Sequence, residues 1–499
     1  MGPSANNFCL IASISLSKRS VDGLVFMTAM IYSIAVMSIG KVEKMMSDDD
    51  VANWLYDKAV ATLADTHTMG DLEQAIDRQS LEVRRKVLER LTQAAASREA
   101  FDCPKCNRSL NVVDHHRQRT VKSSFGEVRF TRNYGCCTSC QEHFAPADSA
   151  LGLHERAPAS PRVQELCALT VLRAPAGQSE DDFRRLTGLK VGASTLHGEA
   201  RRQGERALKL RDMDEHMTQN IKDLAELAAK APTLPKHTTL VIEIDAWNLR
   251  ERDNWGKTQA LLRAGEETGR WHWVYTGTVF RLDQRSTTEA GRPIIADRGY
   301  VATRRGIDSF QRQLYAEALQ RGLLAAETVL ILADGAIWIW NLADDRFKDA
   351  KQRVDLYHVK EHLWNLAAEL HGKGTPEAHA WVRPYLQWLE KRKDGALDVI
   401  HSLEALHKNI DEFSKKQRKA IAGEVEYFKE HKDRMDYKTG KALGQPVGSG
   451  AIESTCSQYQ RRFKLTGQFW TLAGDEAFLA LATLHRNARW SQLFPHDKR

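Results

Sequence analysis

The sequence predicts a mixed α/β fold: a five-stranded sheet interrupted by a large all-helical insertion, behind helical and cysteine-rich N-terminal regions. Three observations predict it. Short β-branched and aromatic runs alternate with helical periodicity over 236–360. Residues 361–440 are helical and highly charged throughout. Residues 101–150 carry two Cys-x-x-Cys pairs around an alternating apolar segment.

The chain has 499 residues, 42% hydrophobic and 27% charged, with a net charge of +7. At roughly 100–200 residues per domain, that length suggests about three domains. The mild basic excess fits a nucleic-acid partner without demanding one. Of eight cysteines, five lie between Cys103 and Cys140, while Cys9, Cys167 and Cys456 are scattered. That spacing excludes a dense secreted disulfide scaffold and reads as a reduced intracellular protein with one metal knuckle.

Residues 1–46 form an apolar extension. Lys18 and Arg19 precede an uncharged run over 23–40, long enough for a membrane span or a signal sequence. Met45 and Met46, just before SDDD, are the expected start of the physiological chain, so no stable membrane association is expected. Residues 47–100 read as helix, with Leu55, Leu63, Leu72, Leu81, Leu88 and Leu91 recurring at helical spacing.

Over 101–150, CPKC supplies Cys103 and Cys106, and CTSC supplies Cys137 and Cys140. Val121, Phe125, Val128 and Phe130 alternate between them as in a β-hairpin. Two such pairs flanking a hairpin predict a zinc ribbon holding Zn²⁺ through four thiolates. Cys136 is a spare that could replace Cys137, and His115 and His116 are weaker ligand candidates.

Residues 161–235 contain QSEDDFRRLTGLKVGASTLHGEARRQGER, which has helix-turn-helix character. Phe183 and Leu186 mark a first helix, Gly188 the turn, and Ser194 the cap of a second helix carrying Arg201 and Arg202.

The composition then changes. TTLVIEIDAW, WHWVYTGTVF, RPIIADRGYV, TVLILAD and RVDLYHV read as five strands, and Phe310, Leu314, Ala318 and Leu319 mark a helix face between the third and fourth. The early strands are close enough to pair as hairpins. The later ones need helical crossovers, which favour parallel pairing. That order is the one expected of an RNase H-like core over 236–360, with a helical insertion over 361–445 and a closing part over 446–499.

Asp245 and Asp334 each end a hydrophobic strand abruptly. Two carboxylates at one sheet edge suit a hard divalent cation, Mg²⁺ or Mn²⁺. Glu453, in VGSGAIES, would complete the cage from the first turn of the last helix, where Gly448 and Gly450 let the backbone approach. Glu243 is a rival ligand on Asp245's strand face. Asp297 and Asp344 read as surface or capping residues. Asp355 and His358 form Asp-x-x-His at the end of the fifth strand. They have two readings: phosphate binding or proton transfer by His358, or a strand-to-helix cap. Arg461, Arg462 and Lys464 follow Glu453 and either hold phosphates or form a solvated basic face. Trp247 either stacks on an unpaired base or belongs to the core, whereas Trp338 and Trp340 read as packing residues.

The set IEIDAW, ILADGAIWIWN, DLYHVKEHLW and VGSGAIEST…RRFKLTGQFW resembles bacterial insertion-sequence transposases of the ISKra type, of the DDE class and distantly Mutator-like. The resemblance covers roughly 161–490. It places the family's acids on Asp245, Asp334 and Glu453 and its Asp-x-x-His on Asp355 and His358. It implies an RNase H-like fold, with the 118 residues between Asp334 and Glu453 holding the insertion. It also implies metal-dependent cleavage and strand transfer on double-stranded DNA, at terminal inverted repeats and at a target, by a homodimer or higher oligomer in the cytoplasm at the nucleoid. A domesticated, non-cutting DNA-binding protein and an RNase H-like nuclease without strand transfer are the alternatives.

Overall fold

The computed structural model describes residues 48–63, 68–98, 102–103, 106–108, 111–153, 157–252, 256–266, 269–408 and 413–495. The apolar run over 21–40 and the start signals at Met45 and Met46 lie outside the described residues. Among those described, no helix is long and apolar enough to cross a membrane. The chain divides into two units, residues 1–163 and 164–499.

In the first unit, helices α1 (Asp48–Val60) and α2 (Met69–Arg98) follow the predicted periodicity. Strands β1 (Asn111–Ser123), β2 (Gly126–Cys136) and β3 (His143–Phe144) form an antiparallel sheet in the order β1-β2-β3. The predicted alternation turns Val121, Val128 and Phe130 inward, against Ala96 of α2. Phe125 is instead in the two-residue hairpin loop, closed by Gly126 at φ 105°. Helix α2 covers an edge of β2: the Gln93 amide accepts from the Thr131 N–H (2.9 Å) and donates to its carbonyl (3.1 Å), as a neighbouring strand would. Asp148, in α3 (Pro146–Ala150), is buried between Arg119 and Arg132.

The second unit opens with helices α4 (Pro161–Arg173), α5 (Ala176–Thr187), α6 (Ala193–Met217) and α7 (Ile221–Ala229). Gly188, at φ 71°, ends α5 in the left-handed conformation. Two expectations are corrected here. Gly192, not Ser194, is the cap residue of α6, because its carbonyl already accepts from Thr195 and Leu196 and leaves Ser194 inside the first turn. Leu186 is 83% exposed, so Phe183 alone anchors α5.

The sheet comprises β4 (Thr239–Glu251), β5 (Arg270–Arg281), β8 (Arg298–Thr303), β9 (Thr328–Ala333) and β10 (Lys351–Val354), in the order β10-β9-β4-β5-β8. A small helix α8 (Thr258–Arg263) and a two-stranded ribbon, β6 (Arg285–Thr287) with β7 (Pro293–Ile295), leave it as excursions. Strands β10, β9 and β4 run parallel, and β5 and β8 are antiparallel, so the sheet is mixed. The predicted third strand is thus split: 293–295 peel away and only 298–303 join the sheet. The predicted fifth strand stops at Val354, because the Asp355 carboxylate accepts from the N–H groups of Tyr357 and His358 and starts a helix there.

Helices α9 (Ile307–Gln320) and α10 (Ile337–Arg346) cross between strands. Phe310, Leu314, Ala318 and Leu319 are all buried, as predicted. Helices α11 (Leu356–His371), α12 (Pro376–Lys391), α13 (Gly395–Lys408), α14 (Lys415–His431) and α15 (Tyr437–Ala442) follow β10. They form no separate body: Val382, Leu389, Val399, Leu403, Ile421 and Phe428 share one core with Ile242, Ile331 and Val354. Helices α16 (Gly450–Phe463) and α17 (Leu472–Arg486) close the chain. Ala451 of α16 packs on Val241 and Phe280, on the opposite sheet face from Ile242.

Helix α6 packs along α17. A Cβ on Gly204 would lie 2.6 Å from the Ala477 carbonyl oxygen, so only glycine permits the approach. Ala168 and Ala207 share a core with Ala480, Leu481 and Leu484.

A buried acidic group accompanies this packing. Asp475 (0% exposed) faces Glu251 and Glu476, which pair with Arg304 and Arg211. A helix N-terminus lowers a carboxyl's pKa by only roughly 0.3–1 kcal/mol of interaction. Burial, with the charge of Glu251, outweighs that and pushes Asp475 up to about 9. The folded chain therefore keeps a proton that the unfolded chain releases above about pH 4, and stability falls as pH rises from there toward 9. We expect Asp475→Asn to unfold at nearly the wild-type temperature at pH 5 and several degrees higher at pH 9. Thermal scans across that range that run parallel would overturn this.

Candidate active site

The site grows from the way parallel strands end. Leu240, Val241, Ile242 and Ile244 bury both faces of β4, and the first residue that needs water is Asp245. The β4–β9 ladder runs to Glu243 opposite Leu332; two residues further, Asp245 comes level with Asp334. On the other side of β9, Val354 pairs with Ala333, and the Asp355 N–H donates to the Ala333 carbonyl (2.7 Å). Asp355 is therefore also level with Asp334. Asp334 and Asp355 directly follow the ends of β9 and β10, but the expectation that Asp245 ends its strand is corrected: β4 runs on to Glu251 because β5 keeps pairing with it, and Asp245 stands where the parallel β4–β9 ladder stops. The three carboxylates thus share the C-terminal edge of the parallel strands, where ligands bind in open α/β sheets.

Asp245 accepts from the Ala246 N–H (2.6 Å), and Asp334 from the Ala336 N–H (3.0 Å). Burial, reinforced by the charge of Asp334, raises the Asp245 pKa, while the Cys456 thiol donates to it and opposes the rise. Gly335 follows at φ 107° beneath helix α14. A Cβ there would lie 3.4 Å from Tyr427 Oη. The Tyr427 ring stacks on His362 (3.8 Å, 11°), whose Nδ1 is 3.0 Å from Glu424. Helices α11 and α14 thus border the Asp334 loop.

Glu453 arrives on the first turn of α16. Gly448 is forced by space: a Cβ there would lie 2.6 Å from the Tyr357 ring. Gly450, which the sequence offered as a second close approach, has open space around it. Ser449 ties the pieces together, its N–H donating to Asp355 Oδ2 and its hydroxyl to Glu453 Oε1 (3.3 Å). As a result Asp355, His358 and Glu453 offer ligand atoms all within 4.8 Å of one another. The residues drawn together most closely are therefore Asp355, His358 and Glu453; Asp245 and Asp334 are not part of that close group, so the expected set of Asp245, Asp334 and Glu453 does not converge within that distance. His358 Nδ1 lies 3.5 Å from Asp355 Oδ1. That carboxylate pushes His358 up to about 9, against burial. Burial would raise Asp355, but hydrogen bonds from His358 and Ser449 outweigh it and hold the group at about 2. The capping reading of Asp-x-x-His holds, since Asp355 caps α11, and the pair also lies beside Glu453.

Glu243 is not a ligand here. It is 1% exposed, and its Oε2 accepts from the Ile452 N–H (2.8 Å) at the start of α16. Burial pushes it up to about 8, opposed by that N–H and by Arg298. Glu243 therefore positions the helix that carries Glu453. We expect Glu243→Gln, which keeps an acceptor, to stay within about 1 kcal/mol of wild type. Glu243→Ala orphans buried N–H groups and should cost roughly 2–4 kcal/mol. Equal denaturant midpoints for the two variants would refute the role.

Other expected residues fall elsewhere. Trp247 is buried; its Nε1 donates to Thr276 Oγ1 (3.0 Å) and its ring meets Phe463, so it presents no face to a base. Arg462 is also buried, its Nε donating to the Val171 carbonyl (2.9 Å), and desolvation lowers it to about 10. Arg461 and Lys464 are exposed. Arg201 pairs with Glu205 (3.0 Å) and Arg202 with Glu199. Asp297 pairs with Arg321, and Asp344 accepts from Gln352. Trp340 is buried and Trp338 packs on Tyr275 (5.1 Å), as expected. Sequence reasoning missed Ser449 and Cys456, which no local pattern distinguishes from ordinary helix-start residues.

In the first unit, Cys103, Cys106, Cys137 and Cys140 form a buried group that could hold a metal such as zinc. The two turns repeat one backbone pattern. The Cys103 N–H donates to the Arg108 carbonyl (2.8 Å) and the Asn107 N–H to the Cys103 carbonyl (2.8 Å); Cys137 does the same with Glu142 (2.9 Å) and Gln141 (2.8 Å). Asn107 and Gln141 both take φ 56°. Cys106 and Cys137 sulfurs are 3.5 Å apart, near the separation of about 3.8 Å that tetrahedral Zn–S bonds of about 2.3 Å impose. Cys136 ends β2 outside this pattern, which decides the fourth ligand in favour of Cys137. His115 and His116 are exposed on β1, away from the cluster.

No protein-family model matches the chain, and no curated protein is significantly similar to it.

Proposed function

We propose that this protein is a DDE-type DNA transposase that cleaves the ends of an insertion sequence and joins them to target DNA. One observation carries the reading: Asp245, Asp334 and Asp355 stand level on adjacent parallel strands at one edge, and helix α16 brings Glu453 to Asp355 at that edge. The strand order β10-β9-β4-β5-β8 and its directions support an RNase H-like core, in which α11–α15 are the insertion.

The donor set fits divalent cations. It consists of hard carboxylate oxygens, and burial, with the charge of Asp334 added, already raises the Asp245 pKa. Asp245, Asp334 and Glu453 would hold Mg²⁺ or Mn²⁺, with Asp355 alongside. When bound, such cations activate an attacking oxygen and stabilise the leaving one. The chain's own groups do the rest. His358, held protonated by Asp355, offers a cation to a phosphate. Ser449 orients Glu453 through its hydroxyl. Arg461 in the last turn of α16 and Lys464 at its C-terminus suit backbone phosphates, and α5 and α6 suit duplex recognition, though the guanidiniums of Arg201 and Arg202 must exchange their intrahelical partners to serve it. Zn²⁺ in the Cys₄ group would hold the first unit's turns together. Function on chromosomal DNA implies a cytoplasmic, nucleoid-associated homo-oligomer.

Incubation with duplex DNA bearing inverted-repeat ends should give Mg²⁺-dependent cleavage to 3′-hydroxyl ends and joined products. Absence of any metal-dependent cleavage would overturn the proposal in favour of a binding protein. Cleavage without joining would reduce it to a nuclease.

A further inference from the structure

We propose that the outer half of the β4–β5 hairpin is a stacking platform for unpaired bases of a single nucleic-acid strand. The inference deepens the DNA-processing reading and rests on it for the strand's origin. Strand β9 pairs with β4 only as far as Glu243, and β8 pairs with β5 only from Tyr275 onward. Residues 246–251 and 270–274 therefore continue as a two-stranded ribbon beyond the acidic edge, its β4 side met near the tip by Trp470, whose N–H donates to the Arg250 carbonyl (3.1 Å) and whose carbonyl accepts from the Arg252 N–H (2.8 Å). On one face, Trp247, Leu249, Glu251 and Val274 are buried, and Phe463 of α16 packs there. The other face is open.

That open face carries Trp271 and Trp273, 56% and 55% exposed, opposite Arg250 and Asn248 in the ladder. Two indoles at spacing i, i+2 project from the same side of a strand. Cations interleave with them. Arg250 lies 6.0 Å from the Trp271 ring and 4.8 Å from Phe469, Arg252 lies 3.7 Å over Phe469, and the Lys464 ammonium is 5.4 Å over Trp271. The only acid in residues 246–251 and 270–275 is Glu251; it points to the buried face and pairs with Arg304.

Exposed aromatic faces among cations are how proteins hold single strands without reading sequence. A second copy of this chain would bring like charge against like, which disfavours a symmetric protein contact through the patch. At about 3.3 Å per residue, Asn248 and Arg250 stand roughly 10 and 17 Å beyond Asp245. Lys464 directly follows the helix that carries Glu453. The platform is therefore within a few nucleotides of the acidic edge.

The test is anisotropy of a labelled 12-nucleotide single strand and of its duplex, titrated with full-length protein without added Mg²⁺. Trp271→Ala and Trp273→Ala should each weaken single-strand binding roughly tenfold or more, with a smaller loss on duplex. Trp271→Phe should restore most of the affinity. Unchanged single-strand affinity in the double alanine variant would overturn the platform, as would an equal loss on duplex or a shift from dimer to monomer without any change in binding. The cleavage assay is separate. Wild type that binds single strands through these indoles yet never cuts would sink the transposase reading alone.

Discussion

Asp245→Asn is expected to abolish metal-dependent strand cleavage while leaving the fold and DNA binding intact. The amide keeps an oxygen that can accept from the Ala246 N–H, so the local backbone stays satisfied. What disappears is a negative charge that burial and Asp334 already oppose. The unfolding temperature should therefore stay the same or rise, the mark of a group kept at some cost in stability. Loss of one carboxylate from a two-cation site removes several kcal/mol of transition-state stabilisation, a fall of at least about a thousandfold. Asp334→Asn should behave alike. Gel assays on end-bearing duplex with Mg²⁺ or Mn²⁺ decide it: full cleavage by either variant refutes the assignment.

Removal of the metal from the Cys₄ group has the second large expected effect. Elemental analysis should find one zinc per chain, and none in Cys137→Ser. Structural zinc sites contribute apparent binding energies of about 10–16 kcal/mol, which here would hold two short turns with little core of their own. Their apolar packing is the cysteines themselves, with Phe144 alongside. Chelation or Cys137→Ser should therefore abolish amide protection in the two cysteine turns, at 106–108 and 137–144, in hydrogen exchange, while the hairpin around Val121 and Val128, which has its own core, and the 239–333 strands stay protected. Cys136→Ser should change neither zinc content nor protection. Zinc retained in Cys137→Ser and lost in Cys136→Ser would reverse the ligand choice.

Local chemistry made part of this molecule legible. A β-branched run that stops at an acid is a strand reaching water, which holds for Asp334 after β9; β4 instead runs on past Asp245, because β5 continues to pair with it. Paired Cys-x-x-Cys turns carry their own geometry, and the repeated backbone pattern at Cys103 and Cys137 follows from it. The helical character of 361–440 follows from composition alone.

Other readings failed where the outcome depends on which face a distant element covers. Trp247 and Trp273 both belong to strands that continue past the sheet, and nothing in their own sequence separates them. Helix α16 covers Trp247's side, so the buried indole satisfies Thr276 while Trp271 and Trp273 stay open. Arg461 and Arg462 are neighbours, yet helix phase sends one to water and the other under Trp470. The fifth strand ended early because the Asp355 carboxylate found two backbone N–H groups, a capping choice that outweighed the β-branched pattern.

By itself, then, the sequence determined the apolar cores of the strands, Asp334 at the end of one of them, the thiolate pairs and the helical character of 361–440, because each depends on residues a few positions apart. Only the tertiary structure decided that Glu453 meets Asp355 and His358, that Glu243 caps rather than ligates, and that the open tryptophans are 271 and 273. Those outcomes depend on where α16 docks, and docking is set by a buried carboxyl, a serine N–H and a glycine gap contributed from across the fold.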